Sequence, residues 1–333
     1  MLVTNIDPAL RSWWHPVAMS EEVGGQPLAV TLLGRHYVVV RLAGVLAAFP
    51  DRCPHRLCPL SAGKVVDGEL QCGYHGWRFD ARGACTAIPA LGPDAVLPPK
   101  ARLDSLAVHE RHGLVFLAPE APRTGLMEVP EWDQPGFDVA WVPPVRAKVA
   151  AGTFVDNFLD VAHFPFVHAG TFGAAEEPSV GDIEVHRDGW GFDSRYDHVI
   201  DNHEDPKVLT GEHPLRQPRR TLYSYTAPFS VRLRLELPMP GTVNLICVWI
   251  QPETLDSSRI YCAMVRDDIG TVTTAQAAVD YEMAVLAEDL LTLEAIEPRG
   301  LPVGQSAEVH TRADRSTIEL RRILAEALTR SSE

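Results

Sequence analysis

Residues 53–85, CPHRLCPLSAGKVVDGELQCGYHGWRFDARGAC, hold four of the six cysteines in this 333-residue chain. Cys53 and His55 stand two positions apart near the start of the stretch. After sixteen intervening residues, Cys72 and His75 form a second pair three positions apart. We therefore expect two loops, each presenting one cysteine and one histidine.

Two thiolates and two imidazoles in matched pairs form a ligand set for a metal centre. In a reducing compartment, cysteines gathered in one window indicate metal binding rather than disulfides. A tetrahedral zinc site accepts the same set, but zinc sites usually take cysteines from one segment and histidines from another. Because each loop here supplies one of each, the pattern favours a [2Fe-2S] cluster with two cysteines on one iron and two histidines on the other.

At these positions the sequence resembles the Rieske family, and the whole stretch is similar to the form found in Rieske oxygenases. The resemblance extends over about residues 10 to 118. It implies that Cys53, His55, Cys72 and His75 bind the [2Fe-2S] cluster.

Rieske proteins of respiratory complexes carry one extra cysteine in each loop, and the two form a disulfide. Here Cys58 occupies the first of those positions, but Tyr74 occupies the second. The disulfide is therefore expected to be absent, which is the pattern of the lower-potential oxygenase type. Cys58 and Cys85 are expected to be small buried packing residues.

The length and the changing pattern along the chain predict two domains. Residues 1–120 form the Rieske domain in this interpretation, an all-β unit with a hairpin-turn signal at Asp67-Gly68. Residues 121–333 form a catalytic domain with a mononuclear iron site, in which helices cover an antiparallel sheet. The predicted fold class is α+β. The main predicted elements of the second domain are strands between residues 221 and 267 and helices near residues 157–167, 274–296 and 315–329.

A second constellation lies in the stretch NFLDVAHFPFVH, which begins at Asn157. Asn157, Asp160 and His163 fall along one side of a predicted helix. His163 and His168 are five residues apart, which separates them by about 140° around a straight helix. From those positions both side chains cannot bind one metal ion. Pro165 predicts a kink or break between them that would let the histidines converge. Helix capping or core packing is the alternative role for such histidines.

Two histidines and one carboxylate on one face of Fe(II) leave positions open for dioxygen. The carboxylate is expected in the closing helix. Glu288 lies opposite the middle of the apolar stripe of that helix and is expected to be solvated. Asp289, Glu282 and Glu294 lie at the edges of the stripe, and geometry alone does not choose among them. The stripe consists of Val279, Met283, Leu286, Leu290 and Leu293.

The second constellation also resembles Rieske oxygenases, whose corresponding segment has the form N-x2-D-x2-H-x4-H. The closing stretch EDLLTLEAIEP looks like the C-terminal segment whose aspartate completes the metal site. The resemblance implies that His163, His168 and Asp289 bind a mononuclear Fe(II), with Asn157 beside it. It also implies that Asp160 hydrogen-bonds a metal-binding histidine and connects to a cluster histidine across a subunit boundary.

Charge and hydropathy exclude several classes of partner. The formal net charge is −14, which disfavours binding to nucleic acid or anionic lipid. No stretch offers about 20 uninterrupted apolar residues for a membrane helix. The first residues lack the pattern of a secretory signal, so we expect a cytoplasmic protein.

The sequence carries no dinucleotide or flavin signature. Electrons from NAD(P)H must then arrive through a separate reductase, a ferredoxin or both. The short chain is most similar to homotrimeric terminal oxygenases that hydroxylate or oxidatively demethylate aromatic or polycyclic small molecules with dioxygen. Arene cis-dihydroxylation and desaturation are alternative reactions, and a Rieske electron carrier with a structural second domain is the non-oxygenase alternative.

The substrate pocket is expected near the strands of residues 223–249 and the loop of residues 202–217. In that loop His203, His213 and Arg216 are interpreted as solvated surface residues.

Overall fold

The computed structural model describes residues 1–174, 176, 178–304 and 308–329. The chain divides into two compact units, one formed by Leu10–Gly125 and the other by Met1–Ala9 with Leu126–Glu333. The sequence had placed the first nine residues in the N-terminal domain.

The first nine residues belong to the second unit because of specific contacts. The strand β1 (Leu2–Val3) pairs antiparallel with Leu301–Pro302. The buried Asn5 accepts a hydrogen bond from the backbone N–H of Ala151 at 2.7 Å and donates to the carbonyl oxygen of Thr254 at 3.0 Å.

The unit Leu10–Gly125 is built from three small antiparallel sheets. The strands are β2 (His15–Met19), β3 (Leu28–Leu32), β4 (Arg35–Leu42), β5 (Val45–Pro50), β6 (Lys64–Val66), β7 (Glu69–Gln71), β8 (Arg78–Phe79), β9 (Cys85–Ala87), β10 (Ala107–Arg111) and β11 (Leu114–Ala118). The sheets have the strand orders β10-β11-β2, β3-β4-β5 and β6-β7-β8-β9. Asp67 and Gly68 join β6 to β7 with φ angles of 53° and 80°, as a type I′ hairpin turn requires.

A seven-stranded antiparallel sheet forms the centre of the second unit, with the order β12-β18-β17-β16-β15-β14-β13. Burial alternates along β15 and β16, as expected when one face of a sheet packs against the interior, whereas most of β17 and β18 is buried on both faces. This arrangement confirms the predicted α+β class. The strands are β12 (Asp138–Ala147), β13 (Glu184–Asp188), β14 (Gly191–Asp201), β15 (Arg216–Thr226), β16 (Ser230–Leu237), β17 (Thr242–Thr254), β18 (Ser257–Arg266) and, paired with β1, β19 (Leu301–Pro302).

The helices of this unit are α1 (Ala151–Leu159), α2 (Phe164–Val167), α3 (Pro206–Leu209), α4 (Ala275–Leu293) and α5 (Arg315–Thr329). The Thr274 hydroxyl caps α4 by accepting from the N–H of Ala277 at 3.1 Å. Within the described part of the chain, no helix is both long and apolar enough to cross a bilayer.

The buried face of α4 differs from the apolar stripe that the sequence predicted. Its buried residues are Ala278, Glu282, Leu286, Asp289 and Leu293. At 100° per residue, this face is centred roughly 60° from the predicted stripe. Two acidic side chains therefore lie on the buried face, and Glu288 lies on its flank rather than opposite its centre.

Candidate metal centres and substrate cavity

The two cysteine–histidine loops share one backbone pattern. In the first, the N–H of Cys53 donates to the carbonyl of Cys58, and the N–H of Leu57 donates back to Cys53, both at 2.9 Å. In the second, the N–H of Cys72 donates to Trp77 at 2.9 Å, and that of Gly76 donates back to Cys72 at 3.1 Å.

The reversal of each loop depends on a residue in the left-handed region. Leu57 and Gly76 occupy equivalent positions and have φ angles of 59° and 70°. Glycine adopts this conformation easily, whereas leucine does so at a steric cost. The two loops thus present their side chains from matched turns.

The four side chains differ in depth, because the two cysteines are buried and the two histidines lie closer to the surface. Cys53 and Cys72 are buried and close enough for their thiols to hydrogen-bond, whereas His55 and His75 reach the surface. The two imidazole centroids are 4.4 Å apart, and Trp77 stacks on His55 at 4.7 Å. Nδ1 of His55 is buried and has no hydrogen-bond partner among the described residues. A buried nitrogen with an unused lone pair beside two thiols fits a mixed-ligand cluster.

The other cysteines of this unit do not form a disulfide. Cys58 and Cys85 are free thiols, half-buried and packed against the core around Phe79, so they are less buried than expected. Burial, together with the neighbouring Cys72, raises the pKa of Cys53 to about 11. Without a cation the Cys53 sulfur is therefore a neutral thiol at physiological pH.

The second constellation forms at a break between two helices, but not at the predicted place. The helix α1 ends at Leu159 and Asp160 is extended, with φ −79° and ψ 131°. His163 immediately precedes α2 and His168 immediately follows it. The break thus lies before His163, and Pro165 sits in the first turn of α2, where its missing N–H breaks no helical hydrogen bond.

Three potential ligand atoms meet beside this break. Nε2 of His163 lies 3.1 Å from Nε2 of His168, and Oδ1 of Asp289 lies 3.5 Å and 3.3 Å from the two nitrogens. His163, His168 and Asp289 are the cluster of possible metal ligands found among the described residues. The structure therefore brings together the three residues that the sequence comparison implied.

Carboxylates fix the orientation of both imidazoles. Nδ1 of His163 lies 3.3 Å from Oδ2 of Asp160, and Nδ1 of His168 lies 2.9 Å from Oε2 of Glu288. Each Nδ1 can then carry the proton, which leaves both Nε2 lone pairs aimed at the same point. Facing lone pairs repel unless a cation lies between them, so the arrangement fits a metal ion.

Glu288 is not solvated, and the expectation that it would be was wrong. Its carboxylate contacts both His168 and the hydroxyl of Thr171, the latter at 2.8 Å. The side chain is 24% exposed.

The pKa values of His163 and Asp289 also indicate a site suited to a cation. Burial alone would lower the pKa of His163, but the carboxylates of Asp160 and Asp289 raise it to about 9. Burial alone would raise the pKa of Asp289, but the two imidazoles and Asn157 hold it well below its usual range. The surrounding carboxylates thus favour a positive charge at the point where the three potential ligand atoms meet.

The two rival carboxylates lie elsewhere. Glu282 is buried near the Cys262 thiol, with Sγ and Oε1 3.9 Å apart. Glu294 accepts a hydrogen bond from the N–H of Lys148 at 2.9 Å. Neither belongs to the group of Asp289.

Asn157 and Asp160 hold supporting positions. Nδ2 of Asn157 donates to Oδ1 of Asp289 at 2.9 Å, so Asn157 lies beside the ligand group. Oδ1 of Asp160 accepts from the N–H of Ala162 at 2.8 Å, and its side chain remains 28% exposed.

A largely apolar cavity opens onto the three ligand atoms. Its walls come from α1, α4 and the strands β15 to β18, which include the predicted strands of residues 223–249. Sequence reasoning missed the contributions of α1, α4 and Arg219. The apolar walls are formed mainly by Phe158, Leu233, Leu235, Ile246, Val248 and Val285.

Comparison with known proteins identifies the family. Residues 13–107 match the Rieske [2Fe-2S] domain, and residues 148–330 match the vanillate O-demethylase oxygenase C-terminal domain. The chain is a Rieske non-haem iron oxygenase. As a member of this family it is a terminal oxygenase component that carries a [2Fe-2S] cluster and a mononuclear iron.

Similarity to individual oxygenases extends over the whole chain. Methylxanthine N1-demethylase NdmA of Pseudomonas putida is 29% identical over 328 residues, which cover 95% of this chain and 89% of that protein. The structure of Pseudomonas putida CBB5 NdmA with caffeine is 27% identical, with a TM-score of 0.85 over 96% of this chain and 92% of that chain. Dicamba monooxygenase bound to dicamba is 22% identical and shares the fold, with a TM-score of 0.78 over 97% of this chain and 98% of that chain.

Proposed function

We propose that this oxygenase removes a methyl group from an aromatic or heteroaromatic compound by oxidation, with electrons from a separate reductase. The single observation that carries the proposal is the group of His163, His168 and Asp289 at the end of an apolar cavity. The full-length similarity to an N-demethylase supports demethylation over other oxygenase reactions.

Each metal centre has a proposed set of residues. His163, His168 and Asp289 would hold the mononuclear iron. The cluster would be held by Cys53, His55, Cys72 and His75. When bound, the iron supplies the activation of dioxygen, and the cluster supplies single electrons.

The residues around the iron site have separable roles. Asp160 and Glu288 hold the protons on the imidazole Nδ1 atoms, so that Nε2 of each ring is a free ligand. Asn157 fixes the rotamer of Asp289 by donating to Oδ1. The apolar walls exclude water and hold an aromatic ring against the site by burial of apolar surface.

Besides its substrate, the proposed demethylation consumes dioxygen, two electrons and two protons. An aryl methyl ether or N-methyl compound, dioxygen, two electrons and two protons give the hydroxylated methyl carbon and water. The hydroxymethyl group then leaves as formaldehyde, and the oxygen or nitrogen of the substrate keeps a proton.

The role proposed for Asp160 requires more than one subunit. We propose a homotrimer in which Asp160 of one subunit connects His163 to the cluster histidine His75 of the next. The partial exposure of Asp160 supports this assignment, because 28% of its side chain is accessible to a further donor in the single chain. A closed ring of three subunits supplies three such junctions.

The test uses the holoenzyme with NADH, a surrogate reductase and a panel of methoxy-aromatic and N-methyl heteroaromatic compounds. We expect at least one compound to give formaldehyde in a one-to-one ratio with dioxygen uptake. The Asp289→Ala variant should give none. A cis-diol product would favour dihydroxylation, and the absence of any oxygenated product across the panel would contradict the proposal.

A further inference from the structure

Arg219 is a buried cation in the wall of the substrate cavity. It lies on β15, where alternate residues point inward, and its exposed fraction is only 6%. The residue lines the same cavity as His163 and His168. A buried charge is costly unless another charge or a set of hydrogen bonds compensates it.

Among the described residues, Arg219 has no carboxylate within ion-pair distance. Its Nε donates to Nε2 of His198 at 3.0 Å, and no described residue accepts from Nη1 or Nη2. Burial and the charge of Arg219 lower the pKa of His198 to about 2, so His198 is neutral and supplies no counter-charge. Burial lowers the pKa of Arg219 to about 10, which still leaves the guanidinium charged at neutral pH.

The other buried arginine of the cavity is different. Arg266 makes two hydrogen bonds to Asp268, at 2.8 and 3.0 Å, and a third to Glu204 at 2.8 Å. The carboxylates of Asp268 and Glu204 therefore compensate the charge of Arg266 within the protein. Glu204 also lines the cavity, but its carboxylate is engaged by Arg266 rather than by Arg219.

The position of Arg219 connects it to the iron site. Its guanidinium carbon lies 4.6 Å from the ring centroid of Phe172, and Phe172 stacks on His168 with centroids 4.7 Å apart. The sum of these two distances is the largest possible separation between the guanidinium carbon and the ring centroid of His168. A single aromatic ring with substituents at both ends can span such a distance.

We infer that the substrate is an aromatic carboxylate whose carboxylate group pairs with Arg219 while its methyl-bearing end faces His163, His168 and Asp289. This inference rests on the proposed demethylation and names its substrate class. The free Nη edge of a guanidinium matches the two oxygens of a carboxylate in a bidentate pair. The remaining walls are apolar and suit the ring.

The experiment compares acid and amide pairs by calorimetric titration of the holoenzyme without reductant. The probes are 2-, 3- and 4-methoxybenzoate and N-methylanthranilate, each paired with its neutral carboxamide. We expect at least one acid to bind at least tenfold more tightly than its amide. If no acid of the panel binds more tightly than its amide, the inference is overturned.

Variants assign the preference to Arg219. Arg219→Gln should weaken binding of the preferred acid at least tenfold and leave binding of the amide nearly unchanged. Arg220→Gln is the matched control, because Arg220 is the next residue on β15 but points outward and pairs with Glu236 at 2.9 Å. Equal acid binding by the wild type and Arg219→Gln would overturn the inference. If Arg219→Gln does not fold, the comparison of acid and amide binding by the wild type still tests whether the cavity prefers a carboxylate.

Failure of this inference is distinguishable from failure of the proposed function. Binding is measured without turnover, whereas demethylation is measured as formaldehyde. Formaldehyde from neutral methyl compounds alone, with no preference for acids, would leave the demethylase function standing and remove the carboxylate class.

Discussion

Oε2 of Glu288 lies 2.9 Å from Nδ1 of His168, and the same oxygen accepts a hydrogen bond from the hydroxyl of Thr171 at 2.8 Å. The arrangement parallels the pair of Asp160 and His163, so each histidine of the iron site has its own carboxylate. Such partners fix the tautomer and increase the basicity of a metal-binding imidazole.

Replacing Glu288 should therefore weaken the iron site. We expect Glu288→Ala to lower mononuclear iron affinity about 10- to 100-fold, the usual effect of losing a carboxylate behind a histidine ligand. The measurement is iron retained per chain during dialysis against a graded chelator. The visible spectrum of the cluster should not change.

Asp280→Ala is the control for this variant, since Asp280 is an exposed acid of the same helix whose carboxylate accepts a hydrogen bond from Gln276 at 2.8 Å. It should retain iron like the wild type. Normal iron retention by Glu288→Ala would show that Thr171 and the backbone suffice to orient His168.

A stronger effect is expected at Asp289, which is one of the three proposed ligands of the iron. Asp289→Ala should lose most of the mononuclear iron and all product formation, while the colour of the cluster persists. Iron analysis separates the two centres, because three irons per chain should fall to two. Glu294→Ala, which removes a carboxylate that accepts from the N–H of Lys148 and lies outside the group of Asp289, should keep all three. Retention of the third iron in Asp289→Ala would exclude Asp289 as a ligand.

The parts of both centres that sequence reasoning located are those set by short-range spacing. The cysteine and histidine pairs lie two or three residues apart within one loop, and the segment from Asn157 to His168 is continuous in sequence, so local backbone structure sets much of their geometry. The choice of Asp289 over Glu282 depended on family resemblance, because both lie on the buried face of α4. Apolar periodicity could not locate that face, since acids occupy part of it.

The residues that sequence reasoning missed depend on distant contacts. Glu288 meets His168 only because α4 packs beside α2, 120 positions away in sequence. Arg219 reads as one of several basic residues in the stretch RQPRR, and only the alternation of β15 separates it from the outward-facing Arg220. The placement of β1 in the second unit likewise rests on two-residue pairing with Leu301–Pro302, too short to leave a pattern.

Glu282 gives a prediction about pH. Burial, together with the negative charges of Glu204 and Asp289, raises its pKa from the ordinary 4.5 to about 7, although Arg266 and Cys262 act in the opposite direction. Between these two values the folded state binds a proton that the unfolded state has released. The contribution of Glu282 to stability therefore becomes less favourable as the pH rises from about 4.5 to above 7.

Glu282→Gln should remove this dependence, because the amide stays neutral. We expect the variant and the wild type to unfold at similar temperatures at pH 5. At pH 8 the variant should be more stable by up to about 3 kcal/mol. Thermal unfolding at both values, after a chelator has removed the mononuclear iron that would compensate the charge of Asp289, measures the difference. A gap that does not widen with pH would show that Glu282 does not change its protonation between pH 5 and pH 8.

We expect Asp160 to carry the electron from the cluster to the mononuclear iron. In the proposed trimer its carboxylate accepts from His163 and from His75 of the next subunit. Asp160→Asn keeps the size but replaces one acceptor with a donor, so one imidazole N–H loses its partner. Both metal centres should persist, yet single-turnover oxidation of the reduced cluster should slow by orders of magnitude.

Mixed trimers test whether that path crosses a subunit boundary. Chains with Cys72→Ser keep the iron site and lose the cluster, whereas chains with Asp289→Ala keep the cluster and lose the iron. Each variant alone should be inactive. Refolded or co-expressed together, they should regain part of the wild-type activity, because a cluster in one chain then faces an iron in its neighbour. Introducing Asp160→Asn into the Cys72→Ser chains should abolish the recovery. No recovery in mixed trimers that contain both centres would place the electron path within one chain and exclude the bridge through Asp160.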